Sequence, residues 1–289
     1  MKRVMKVILQ WVFAAIAALV VGPIAGMATA ANTGLDGSPD ATMLIGSSAV
    51  TGVLGHAAAL ALAGGFGLLT ARVISGRFGL FTAGVVLTWA AARTGRVEAI
   101  ISAQPDASTL TTLAVEGALL AAAAAGLAWL VCRDAHHEKH SAYEKPISGE
   151  TVLALAAALV AGGIGAWLAA RDDLKGQTIA AAWVAGALGA TLARVLAHRS
   201  AGWVVVLGVC LCAVAGPLLA SFASPSIEAL RLHLYSGTIN GSLPSLVRIA
   251  PLDWIAGAFM GVPVGMSWAG SMMEKRVEEA SASAKPSGA

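Results

Sequence analysis

The eight tryptophans of this chain stand near the ends of long apolar runs, and they fall into two sets. Trp11, Trp129, Trp203 and Trp268 lie toward one set of ends, while Trp89, Trp167, Trp183 and Trp254 lie toward the other. Amphipathic indoles collect at the two headgroup levels of a bilayer, so this placement predicts helices threaded back and forth through a membrane. Composition agrees. Hydrophobic residues make up 57% and charged residues 12%, against roughly 25% charged in an ordinary soluble domain. So few charges do not cover a water-facing surface. The expected fold is an all-α polytopic helix bundle occupying residues 1–289 as one transmembrane domain.

Crossing a hydrocarbon core of about 30 Å takes roughly 20 apolar residues. Seven runs meet that need: Val7–Thr29, Met43–Ala71, Thr109–Val131, Thr151–Ala170, Ile179–Ala197, Ala201–Phe222 and Leu252–Met273. An eighth, Phe78–Ala92, is short and crosses only if Arg77 and Arg93 snorkel or the bilayer thins around it. With eight spans and a cytoplasmic N-terminus, 13 of the 19 Lys and Arg residues fall inside and 6 outside. Dropping the short span weakens the split to 11 against 8. The positive-inside rule therefore favours eight crossings with both termini cytoplasmic. The first 30 residues have a rival reading. Lys2, Arg3 and Lys6 precede an apolar stretch, and Ala28-Thr29-Ala30 offers a signal-peptide cleavage site. Cleavage would leave seven spans. The charge bias and this leader-like start together point to a multi-pass protein of a bacterial inner membrane.

Loops add detail. Residues 224–251 form the largest outer segment. Within it Ser226–Tyr235 and Ser242–Ile249 carry apolar residues at helical spacing and are expected to lie at the interface as short amphipathic helices. Residues 274–289 read as a disordered cytoplasmic tail. Pro23, Pro217 and Pro263 fall inside spans, where each removes a backbone donor and is expected to kink its helix. Gly257, Gly261 and Gly265 recur every four residues, a stripe that lets backbones approach closely within the monomer, between copies, or against another membrane protein.

Ionisable groups deep in a bilayer are costly and are functional candidates by default. His56 falls near the middle of the second run and Glu116 about two turns inside the fourth. Facing one cavity, an imidazole and a carboxylate could pass protons or hold a cation. Otherwise His56 bonds a nearby carbonyl, and Glu116 reaches outer water or pairs with Arg93 or Arg96. Cys132, His136 and His140 would share one helical stripe if the fourth helix continued, giving soft sulfur and imidazole suited to zinc, though collinear ligands do not close a tetrahedron. A solvated polar loop accounts for the same residues.

These observations narrow function without fixing it. No nucleophile elbow, phosphate-binding loop or dinucleotide fingerprint is present, and no bound cofactor is implied. A net charge of +3 gives no reason to expect nucleic acid as a partner. A permease-like protein with a small midplane site at His56 and Glu116 is favoured slightly. The alternative is a non-catalytic scaffold or assembly subunit with the lipid bilayer and neighbouring chains as its partners.

Overall fold

The computed structural model describes residues 2–104, 108–133, 148–198, 201–223, 226, 228 and 245–283. The described residues form helices joined by turns and irregular segments, without strands. In chain order the helices are α1 (Lys2–Ile16), α2 (Gly22–Thr29), α3 (Ala49–Val73), α4 (Gly76–Ala91), α5 (Val97–Ala103) and α6 (Ser108–Arg133). They continue with α7 (Gly149–Ala169), α8 (Lys175–Leu196), α9 (Gly202–Cys210), α10 (Cys212–Ala223) and α11 (Pro251–Ser283). By length and composition, 6 candidate spans are long and apolar enough to cross a membrane among the described residues. They are Val4–Thr29, α3, α6, α7, α8 and Gly202–Phe222. The chain is thus a multi-pass membrane protein built as a helix bundle.

Two helices stand apart from that set. The short run around Phe81 forms α4, whose 16 residues rise about 24 Å. The last run forms α11, whose first half is buried almost completely. Successive helices pack as antiparallel neighbours where loops are short. Gly67 lies on Gly79 and Ala83 across the α3–α4 hairpin, and Gly162 and Gly165 lie on Ala185 across α7 and α8. By contrast α8 and α11 run in the same direction. Gly257 faces Ala182, Gly261 faces Gly186, and Gly265 faces Ala187 and Ala190. A Cβ on any of these three glycines would overlap the α8 backbone, so their hydrogens are what lets the helices touch. The stripe is therefore occupied within the chain.

Prolines act differently from expectation. Pro23 is preceded by a π-helical turn at Ala17–Val21, which absorbs the missing donor before α2 begins. The break in the seventh run falls at Leu211, nearly two turns before Pro217, while α10 and α11 continue through Pro217 and Pro263. Pro217 cannot donate to the carbonyl of Ala213. Gly117 of α6 lies directly against that carbonyl, where any side chain would collide at 2.6 Å. Neighbouring backbone thus covers the freed oxygen.

Three boundaries also move. The second apolar run does not begin as helix at Met43: residues 42–48 are irregular, and α3 starts at Ala49 behind the cap Ser48, whose Oγ accepts from Thr51 N. Of the helix expected at Ser242–Ile249, the described residues form a 3-10 turn at Ser245–Arg248, with Val247 buried against the bundle. Ser226–Tyr235 lies outside the described residues except for positions 226 and 228. At the other terminus α11 extends past Met273 to Ser283, into the segment expected as a disordered tail. Glu274–Ala280 is rich in strong helix formers, which carry a helix beyond its apolar stretch.

Candidate functional site

Polar residues gather at one end of the bundle, where α2, α4, α8 and α11 meet the segment between Asn32 and Ser48. That segment is folded back on itself. Gly34 N donates to Ser38 O at 2.8 Å, and Gly37 closes the turn with φ of 78°, a backbone setting natural to glycine. Asp36 Oδ1 accepts from Ser38 N at 3.0 Å, and its contacts with Ser38 hold the Asp36 carboxyl below the ordinary carboxylate range. Asn32 Nδ2 donates to Thr42 O at 2.7 Å, and Ser47 N donates to Thr33 O at 2.7 Å. Gly52 of α3 lies against the Met43 carbonyl, and a side chain there would meet Asn32 Nδ2 at 2.8 Å. The segment therefore packs into the helix ends as a plug.

Glu116 is its anchor. The carboxylate is buried on α6, and Oε2 accepts from Thr42 Oγ1 at 2.6 Å and from Leu44 N at 3.0 Å. Neither Arg93 nor Arg96 reaches it. Oε1 of the same carboxylate has no hydrogen-bond partner. His56 is buried one turn deeper than Gly52 on α3, with Nδ1 at 2.8 Å from the Gly52 carbonyl. A carbonyl accepts only, so Nδ1 carries the proton and Nε2 is left as a buried acceptor with nothing to bond. Each residue is thus tied to its own surroundings, and each keeps one free polar atom.

Both residues lie nearer one end of their helices than the other. With α3 starting at Ala49, His56 lies seven residues in, about 10 Å from the helix end. Glu116 lies eight residues into α6, about 12 Å from its start. Both fall in the third of the bundle nearest the plug.

A second buried charge set lies at the same end. Asp253, in the first turn of α11, is completely buried. Lys175 Nζ donates to its Oδ1 at 3.1 Å and Oδ2 at 3.2 Å, and to Thr94 Oγ1 at 3.0 Å. Thr178 Oγ1 donates to Asp253 Oδ2 at 2.7 Å. The Lys175 ammonium is half-buried and is held by Asp253 and Thr94. Trp254, expected at the headgroup level, is instead fully buried, and its Nε1 has no partner. Its place at the foot of the central helix, beside Asp253, explains the difference.

The rim is polar and laced. Gly95 N donates to Ala41 O at 2.7 Å, Arg248 Nη1 donates to Arg171 O at 2.6 Å, and Arg96 approaches Asp173 at 3.8 Å. Burial raises the Asp173 carboxyl above its ordinary range despite Arg96, and burial with the nearby Asp173 charge does the same to Glu98 on α5. At the far end Cys132 closes α6, while His136 and His140 lie outside the described residues. Among the described residues no three His, Cys, Asp or Glu side chains converge as a metal site.

Sequence reasoning singled out His56 and Glu116 but missed Lys175, Asp253, Thr94, Thr42 and Asn32. One signal was visible: Asp253 is a carboxylate just inside the last apolar run, facing a lysine in a loop too short to leave the membrane surface. Comparison with family models, with curated proteins and with solved structures finds no match.

Proposed function

We propose that this chain is a permease-like membrane protein that moves protons or small cations. Its site is the set His56, Glu116, Lys175 and Asp253 in the outer third of the bundle. The observation that carries the reading is the coexistence of two unmet, buried polar atoms, His56 Nε2 and Glu116 Oε1, at the end of the bundle that also holds the half-buried Lys175 ammonium. Native interiors pair nearly all such atoms, and an unpaired one signals water, an ion or a transferable proton. His56 Nε2 has a lone pair to take a proton, and Glu116 Oε1 a site to hold one. Lys175, already shared with Asp253, couples their charge states through a low-dielectric interior. In this reading α4 and α11 complete eight crossings, both termini face the cytoplasm of a bacterial cell, and the plug faces out. The split of 13 to 6 basic residues and the alternating helix directions support that topology.

Flux tests the proposal. The purified chain, reconstituted in vesicles enclosing a pH-sensitive dye, is expected to dissipate a proton or cation gradient faster than protein-free vesicles. His56→Ala and Glu116→Gln are expected to return flux to the protein-free level while the chain still melts cooperatively. Equal flux from both variants and the intact chain overturns the assignment. A second reading, a membrane scaffold or assembly subunit, is favoured by the close backbone packing of α8 on α11. It predicts no flux under any gradient and a stable complex of defined stoichiometry in native membranes.

A further inference from the structure

A groove opens at the opposite end of the bundle from the polar site. There α1 leaves the other helices, and its apolar side chains Val7, Ile8 and Trp11 are exposed. Between α1, α4 and α11 lies a cavity of about 420 Å³, within the roughly 300–1,000 Å³ range of small-molecule sites. Its walls include Phe78 and Phe81 of α4 and Pro263 of α11, and its rim carries Arg77 and Trp268, both exposed.

Three features say what fills it. The groove flanks helices of a membrane-spanning bundle, so its apolar walls face lipid rather than water. Arg77 has no carboxylate partner among the described residues, leaving a positive charge at its mouth. And α4, some 6 Å shorter than a hydrocarbon core of about 30 Å, draws Arg77 into the leaflet beside Trp268, an indole of the kind that marks headgroup depth. An apolar slot below and a lone guanidinium at phosphate level match an amphiphile with an anionic head. Guanidinium and phosphate pair in fork geometry, which favours this contact over a bare lysine-like charge.

We propose that this groove binds an anionic phospholipid of the adjoining leaflet, with Arg77 at the phosphate and Phe78, Phe81 and Pro263 along the acyl chains. The test uses the full chain in nanodiscs of phosphatidylcholine with and without phosphatidylglycerol, and native mass spectrometry of lipid retained after extraction. Wild type is expected to retain phosphatidylglycerol over phosphatidylcholine by about fivefold, the worth of one basic residue at an anionic surface. Arg77→Gln, at an exposed position, is expected to bring the two lipids to parity. Arg133→Gln at the same end, whose guanidinium sits over Trp129 at 5.1 Å, is expected to keep the preference. Val264→Trp, which fills the groove, is expected to reduce retention of both lipids. An unchanged preference in Arg77→Gln, its loss in Arg133→Gln as much as in Arg77→Gln, or displacement of the lipid by inorganic phosphate alone overturns the proposal.

Discussion

Gly261→Ala is the sharpest test of how this bundle is held. A methyl group at Gly261 would sit inside the Trp183 carbonyl oxygen, 2.8 Å from Ala187 N and 3.0 Å from Gly186 Cα. All three obstacles are backbone of α8, so no side chain can rotate away. Accommodation requires α11 to move off α8, and that costs dispersion contacts along the whole shared face. Overpacking of this kind costs about 1–3 kcal/mol, against a helix-propensity gain of about 1 kcal/mol for replacing glycine by alanine. Gly270→Ala, on the same helix, meets nothing within 4 Å and keeps only the gain. The propensity gain is common to both, so the two variants are expected to differ by the overpacking cost of about 1–3 kcal/mol, with Gly261→Ala the less stable. Reversible unfolding in mixed micelles, read by tryptophan fluorescence, gives both values. If Gly261→Ala matches or exceeds Gly270→Ala, the stripe does not pack on α8 in the monomer, and the reasoning fails.

Three further outcomes follow from the polar end. Glu116→Ala leaves the Thr42 hydroxyl and Leu44 N without an acceptor, at about 1–3 kcal/mol for each unmet group; hydrogen exchange in residues 42–48 is expected to accelerate well before that in α8. Asp253→Leu alone leaves Lys175 unpaired and is expected to cost about 3–5 kcal/mol, while adding Lys175→Met restores most of it; a double variant no better than the single one refutes the pairing. Burial raises the carboxyls of Glu98 and Asp173, so their contribution to stability is full below the unfolded carboxylate range and is lost as pH rises through the raised values. The protection factor of the α5 amides, with the intrinsic pH dependence of exchange divided out, is therefore expected to be higher at mildly acidic pH than at neutral pH, and the opposite trend would refute the assignment.

Much of the bundle was legible in the sequence because apolar length is a direct record of bilayer thickness. The runs at Thr109–Val131, Thr151–Ala170 and Ile179–Ala197 match α6, α7 and α8 to within a few residues at most ends, since each is bounded by charged or capping residues. Hydropathy misled where apolar residues serve an irregular backbone. Met43, Leu44 and Ile45 read as span, yet they bury themselves in the plug, and Thr42 rather than any charge marks its anchor. Trp254 misled for the converse reason. Its position in the run suits an interfacial indole, but α11 is central, so neighbours cover it. His56 and Glu116 stood out because each is ionisable within an apolar run. Their partners did not, because Lys175 and Asp253 are separated by 78 positions in the chain and only the parallel pairing of α8 and α11 joins them.

That pairing makes α11 the mechanical link between the two ends. Its first turn holds Asp253 against Lys175, its glycine stripe fixes it to α8 along the middle, and Pro263 and Trp268 line the groove beyond. Because three successive glycines of α11 contact the α8 backbone, a displacement of α11 along its axis would disturb its packing on α8. Any change at the Lys175–Asp253 pair that displaces α11 along its axis would therefore alter the groove wall against α4, where Gly84 lies on the Phe259–Met260 peptide. The converse holds by linkage: a ligand that favours one groove width biases the charge pair by the same free energy. Proton or cation flux in vesicles with and without phosphatidylglycerol reads that coupling directly. Flux that responds to the anionic lipid in wild type but not in Arg77→Gln is the expected result, and indifference in both would show that α11 does not carry the signal.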